Sequence, residues 1–244
     1  MIKVDNLGFY YKANNWLFKN ISLDIKKGEV ITILGPNGRG KTTFLKCLVG
    51  INEQKLGNLQ IEGKIGFVPQ LSTPPNGYSV LDIVLMGTSK SKSVFESIND
   101  ENIQNARYWL NKVGMQDLEN MDFSDLSGGQ RQMVLIARAL CYGKDILILD
   151  EPSSALDLAN QQKLLYLLQE LSNSGITVIM TTHSANHALK VSYKTLMLFG
   201  EDEYIFGLTK KVVNKDNLSK LFGTNIECVD YSINGKSGIF ALAI

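Results

Sequence analysis

The chain has 244 residues, 44% of them hydrophobic and 20% charged, with 25 basic side chains against 24 acidic. This is the balance of a soluble globular protein with ample length for a buried core. A formal net charge of +1 argues against a broad nucleic-acid footprint, which shows as a strongly basic chain or stripe.

The N-terminal stretch "MIKVDNLGFYYK" lacks the charged-then-apolar layout of a signal peptide. No stretch approaches the roughly 18 to 20 apolar residues of a membrane span, and the longest runs, "ITVIM" and "GIFALAI", are strand-length. Cys47, Cys141 and Cys228 are odd in number and widely spaced, so they read as buried thiols of a reducing compartment. The expected location is the cytosol.

Residues 1 to about 28 and 57 to 70 alternate like half-exposed strands of an antiparallel sheet. Between them, "EVITILG" (29–35) is apolar throughout, as strands buried on both faces are. A helical stripe of Leu45, Leu48 and Val49 follows it. From about 74 to 130 helical periodicity takes over, as in Ile103, Ala106, Leu110 and Val113. Met133, Ile136, Ala137 and Leu140 continue along one helical face. "DILILD" (145–150) and "GITVIMTTH" (175–183) are again buried-strand patterns. Between them, Leu164, Leu167, Leu168 and Leu171 form a helix that stops at "SNSG". From about 206 short strands surround a small helix near "KDNLSKLFG". Strand, turn and helix in repetition predict an α/β core with right-handed crossovers.

Gly35-Pro36-Asn37-Gly38-Arg39-Gly40-Lys41-Thr42 meets every fixed position of G-x-x-x-x-G-K-[ST]. Its glycines let backbone N–H groups point into one concavity at a helix N-terminus, where phosphate oxygens bind. Lys41 would reach the β/γ-phosphates of a nucleoside triphosphate, the Thr42 hydroxyl would ligate Mg²⁺, and Thr43 follows in the same turn. A Gly-rich turn with a chance lysine is the bland alternative, disfavoured because a buried strand precedes the loop and a helix follows it.

"ILILDEP" (146–152) ends a buried strand in two carboxylates. Asp150 is placed to hold the Mg²⁺ hydration shell, and Glu151 could take a proton from an attacking water. "TTH" (181–183) brings His183 to the end of another strand, where it could bond the γ-phosphate or the water. His183 and His187 share metal-ligand spacing, but "SAN" between them lacks a glutamate and no third ligand is evident, so zinc is rejected.

"LSGGQRQ" (126–132) opens an amphipathic helix with Ser127, Gly128, Gly129 and Gln130, a second helix start stripped of side chains. Taken with the glycine loop and "ILILDEP", it closely resembles the signature motif of ABC-type ATPases, over essentially the whole chain. The resemblance implies a P-loop NTPase core with a mainly parallel sheet, a flanking antiparallel β-subdomain and an inserted α-helical subdomain. The expected layout is one domain over 1–244. Its nucleotide-binding core and β-subdomain span 1–73 and 131–205, its helical subdomain with the signature 74–130, and a short extension 206–244.

By the same resemblance, two copies pair head to tail around two ATP, so that Ser127 and Gly129 of one complete the site built on Lys41 of the other. "SSALD" (153–157) looks like the D-loop, with Asp157 its acid and Ser153 in place of the commoner threonine. Gln70 looks like the Q-loop glutamine that contacts Mg²⁺. Tyr11 looks like the aromatic that stacks on adenine, with Tyr10 and Trp16 as alternatives.

The implied activity is ATP hydrolysis that drives a separate membrane permease, from a peripheral position on the cytoplasmic membrane face. "GFVPQ", "SVLDIVLMG" and "SALDLANQ" are most similar to importers of iron–siderophore, haem, cobalamin and molybdate type, which also use a substrate-binding protein. An exporter subunit is the runner-up. A soluble ABC ATPase ranks lower, because the chain lacks a coiled-coil insertion or second ATPase domain. A non-catalytic nucleotide-dependent module is disfavoured by the intact loop, acid and histidine. No nucleic-acid partner is expected.

Overall fold

A computed structural model of the chain describes residues 1–13, 15–70, 77–88, 99–233 and 235–244. Its contacts group into two compact units, one of Met1–Glu62 with Leu168–Ile244 and one of Gly63–Leu167.

The first unit begins with β1 (Ile2–Lys12) and β2 (Asn15–Ile25), paired antiparallel. β3 (Val30–Leu34) follows, with all five residues buried, and leads through the glycine loop into α1 (Lys41–Leu48). β4 (Leu56–Ile61) then returns to the other edge of β1, giving a sheet of order β2-β1-β4. Phe9 and Phe18 are cross-strand partners, and Phe18 meets Phe44 of α1 edge-on at 5.6 Å between ring centroids. Fully burying one such ring contributes roughly 1.5–3 kcal/mol, so this column fastens α1 to the antiparallel sheet.

The second unit opens with β5 (Ile65–Val68). The alternation of 57 to 70 predicts antiparallel strands, and β4 is one. β5 instead runs parallel beside β6 (Ile146–Leu149), in the register Val68 to Leu149. Between them lie α2 (Val80–Leu85), α3 (Asp100–Lys112) and α4 (Gly128–Tyr142). Ser79 and Asp82 form a capping box on α2, Asn99 caps α3, and Ser127 and Gln130 form a second box on α4. Each satisfies backbone N–H groups that a helix start leaves without carbonyls. α4 packs against α2, α3 and β5. The expectations for 71–76 and 89–98 lie outside the described residues.

α5 (Leu158–Asn173) carries the chain back to the first unit. There β7 (Thr177–Thr182) pairs parallel with β3, which also pairs parallel with β8 (Lys194–Leu198). α6 (Ala185–Val191) connects β7 to β8. β9 (Tyr204–Leu208) adds an antiparallel edge to β8. The chain closes with α7 (Thr209–Val212), α8 (Lys215–Phe222) and the hairpin of β10 (Ile226–Ile233) and β11 (Lys236–Ala243). Leu34, Ala188, Met197, Leu218 and Ile226 are among the residues of the core beneath that tail. The architecture is α/β, with parallel strands dominating the core and antiparallel sheets beside it. Among the described residues no helix is long and apolar enough to cross a membrane.

Candidate functional site

In the first unit, β3 and β7 end level, Leu34 opposite Thr182. Gly35 and His183 therefore leave the same sheet edge side by side. This is the carboxyl edge of a parallel sheet, where ligands of such folds bind. Asn37 and Gly38 are exposed at the loop crest, while Gly35 and Gly40 are buried at its base. Gly40 caps α1 in the left-handed conformation, φ 90°. A Cβ there would stand 2.9 Å from Leu17 Cγ, so both backbone and packing demand glycine.

Helical bonding in α1 begins with the Phe44 N–H donating to the Gly40 carbonyl at 2.7 Å. The N–H groups of the preceding turn lie ahead of that ladder and converge at the positive end of the helix dipole. Lys41 is buried, and its Nζ donates to the carbonyls of Gly35 at 2.8 Å and Pro36 at 3.2 Å. The ammonium is thus folded over its own loop. Thr42 is half-buried beside it.

Three aromatics were candidates for one flat platform, and their packing separates them. The pairing passes from Phe9–Phe18 to Tyr10–Trp16, one step on β1 and two on β2. This is a β-bulge, which re-aims the side chains beyond it. Trp16 consequently lies across Gly8, where a Cβ would meet its Cζ3 at 2.8 Å, and edge-on to Tyr10 at 4.9 Å. Tyr11 instead meets Phe9 edge-on at 4.9 Å, is 67% exposed, and bonds the Thr43 hydroxyl in the first turn of α1.

In the second unit, β5 and β6 also end level. The Asp150 N–H donates to the Val68 carbonyl at 2.9 Å, and exposed Gln70 follows two residues beyond Val68. Asp150 itself is buried, 3% exposed. Glu151 has φ 46°, a left-handed conformation uncommon outside glycine and asparagine. The sequence carries no sign of it. Ser154 holds the turn, its N–H and its hydroxyl both donating to the Glu151 carbonyl at 3.2 and 3.0 Å.

Asp157 accepts from the Asn160 N–H at 2.8 Å and from the Asn160 side-chain amide at 3.1 Å, at the entry to α5. Gln161 reaches back, its Nε2 donating to the carbonyls of Leu156 at 3.0 Å and Ser153 at 3.3 Å. The glycine-rich start of α4 lies against the same segment, with Gly129 buried and Ser127 and Gly128 exposed. Asn160, Gln161 and Ser154 were not singled out from the sequence. Asp157 stands directly before α5, the place where an aspartate side chain caps a helix.

Residues 18–154 match the sequence profile of a family described as ABC transporter. The chain is similar to the molybdate import ATP-binding protein MolC of Haemophilus influenzae, at 43% identity over 222 residues, covering 91% of this chain and 87% of that protein. Among solved structures it is similar to an inward-facing conformation of a metal-chelate-type ABC transporter. That likeness has a TM-score of 0.94 and 39% identity, and covers 100% of this chain and 97% of that one. It is also similar to the dimeric structure of a bacterial ABC transporter cassette, with a TM-score of 0.73 and 29% identity, covering 86% of this chain and 99% of that one.

Proposed function

This chain belongs to the ABC transporter family as one of its ATP-hydrolysing subunits, and from that premise we propose that it powers import of a metal chelate, cobalamin or an oxyanion such as molybdate. The observation that carries the import reading is the 43% identity, over 91% of this chain, to a molybdate import ATP-binding protein, and the likeness to a metal-chelate-type transporter over 100% of this chain supports it. The permease is a separate membrane protein and the substrate reaches it through a binding protein, so this chain would sit on the cytoplasmic membrane face.

The residues take the following roles. Gly35, Asn37, Gly38, Gly40 and Thr43 line the phosphate loop, where backbone N–H groups bind the phosphates. Lys41 trades its loop carbonyls for β/γ-phosphate oxygens. The Thr42 hydroxyl and the buried Asp150 carboxylate are hard oxygen donors, a set that fits Mg²⁺, with the Gln70 amide oxygen as a third. When bound, Mg²⁺ neutralises charge on the phosphates. Glu151 accepts the proton of the attacking water, and His183 holds a hydrogen bond to the γ-phosphate or that water. Tyr11 presents its exposed ring to adenine.

Ser127, Gly128, Gly129 and Gln130 of a second copy contact the same nucleotide, and Asp157 lies on the loop that joins the two sites. ATP then favours the closed head-to-tail dimer, because its phosphates contact both copies only in that state. Hydrolysis removes the bridge, the dimer opens, and the permease moves with it. An exporter subunit is the alternative.

The test is Glu151→Gln, purified with Mg-ATP from detergent-solubilised membranes. A trapped dimer with turnover reduced at least 100-fold and a polytopic permease as companion is the expected result. Near-normal turnover overturns the role of Glu151. Ribosomal or DNA-bound companions overturn transport.

A further inference from the structure

Asn160 lies one turn into α5 and touches two segments to which the reading above gives work. Its backbone N–H and its side-chain amide both go to Asp157, one to each carboxylate oxygen, at 2.8 and 3.1 Å. The other side of the same amide lies on Gly129. A Cβ at position 129 would stand 2.8 Å from Asn160 Nδ2 and 2.9 Å from its Cγ, distances that a fixed side chain does not admit. Asp157 holds the amide with a hydrogen bond at 3.1 Å, so giving way to a Cβ would cost that bond. Gly129 is correspondingly buried, while its neighbours Ser127 and Gly128 are exposed.

We propose that Asn160 is a positioning residue that locks the glycine-rich start of α4 to the acidic loop of residues 150–157 within one chain. The loop is stiff enough to transmit that hold. Ser154 bonds the Glu151 carbonyl, and Gln161, next to Asn160, bonds the carbonyls of Ser153 and Leu156. From Gly129 to Glu151 every link is a packed contact or a hydrogen bond to main chain or carboxylate.

Position 129 is thus glycine for two independent reasons: close approach of a phosphate, and the seat of the Asn160 amide. In a head-to-tail dimer the Gly129 segment of a chain serves one nucleotide and its Glu151 the other. Asn160 therefore couples the two sites within a single chain.

The inference rests on the roles proposed for Gly129 and Glu151, and its test separates from theirs. Steady-state ATP hydrolysis, direct binding of a fluorescent ATP analogue and thermal unfolding are measured on the full chain carrying Asn160→Ala, Gly129→Ala and both together. Asn160→Ala should lower kcat about ten-fold, the scale of a sub-ångström misplacement, with analogue affinity within about two-fold of the parent because the glycine loop is untouched. The double variant should be several-fold more active than Gly129→Ala alone, because the obstacle to the new methyl group is the amide itself.

A lower Tm with kcat unchanged would make Asn160 only a support for the Asp157 cap of α5 and overturn the proposal. So would a double variant no better than Gly129→Ala, which would leave phosphate approach as the sole demand for glycine. If Asn160→Ala does not fold, Asn160→Ser takes its place, since it keeps a short polar side chain at the cap but withdraws the amide from Gly129. Retained turnover in Glu151→Gln would sink the catalytic reading and leave the Gly129–Asn160 suppression to be judged by itself.

Discussion

Tyr11 and Thr43 share a hydroxyl-to-hydroxyl hydrogen bond of 3.0 Å across 32 positions of sequence. It ties the exposed end of β1 to the first turn of α1, holding the Tyr11 ring beside the glycine loop. Stacking on such a ring contributes about 0.5–1.5 kcal/mol. Tyr11→Ala should therefore weaken ATP binding by about 2–10-fold, and Tyr11→Phe should retain most of it. Tyr10→Ala and Trp16→Ala should lower stability and leave affinity alone, because those rings pack on each other and Gly8. Equilibrium titration of the four variants decides it, and an unaffected Tyr11→Ala would return the platform to Trp16 or Tyr10.

Gly40 and Gly38 both have positive φ, 90° and 80°, but only Gly40 is crowded, with Leu17 and Phe18 where a Cβ would go. Left-handed backbone alone costs a non-glycine residue about 1–3 kcal/mol. Gly40→Ala should exceed Gly38→Ala in loss of unfolding free energy, since it adds overpacking. It should also abolish nucleotide binding by moving the start of α1. Urea titration with and without ATP reads both effects, and equal losses would refute the crowding argument.

Burial pushes the Cys47 thiol up to about 11 and the Cys141 thiol up to about 12. Cys228, only partly buried, is raised by desolvation and then by Glu227. Thiolate is the reacting form. Under native conditions at pH 8, a thiol reagent should modify Cys228 first and reach all three cysteines only on denaturation. Fast native labelling of Cys47 would mean that α1 opens readily.

His187 is held below its usual 6.5 by burial first, then by His183 and Lys190. The unfolded chain therefore binds a proton at a pH where the folded chain does not. Stability contributed by neutral His187 is complete above about 6.5 and falls as pH drops from there toward the folded value. Between pH 7 and 5, His187→Gln should show a shallower decline of Tm than the parent. An identical decline in both would place the acid sensitivity elsewhere.

Strands buried on both faces were legible from the sequence, because nothing charged interrupts "VITIL", "ILIL" or "TVIMTT" and the threonines within them are β-branched. β8 is as buried but was not picked out. It opens on Lys194, whose charge is satisfied 165 positions away by Glu29 at 3.0 Å, a pairing no local window contains. β5 was read as antiparallel because alternation reports exposure and not the partner strand. The glycine loop was visible as a motif because its glycines answer to backbone geometry. The different packing of Tyr10, Tyr11 and Trp16 was not visible, since it turns on a bulge in β2. Asn160 was hidden for a similar reason: its two neighbours, Asp157 and Gly129, are local and remote respectively.

The left-handed turn at Glu151 sets stability against activity at one position. Its φ of 46° costs about 1–3 kcal/mol that glycine would not, so Glu151→Gly should relieve that backbone strain even as it removes the carboxylate proposed as the base. A selection for heat resistance alone would discard this carboxylate, and a thermostable variant bred without an activity screen should be sequenced there first.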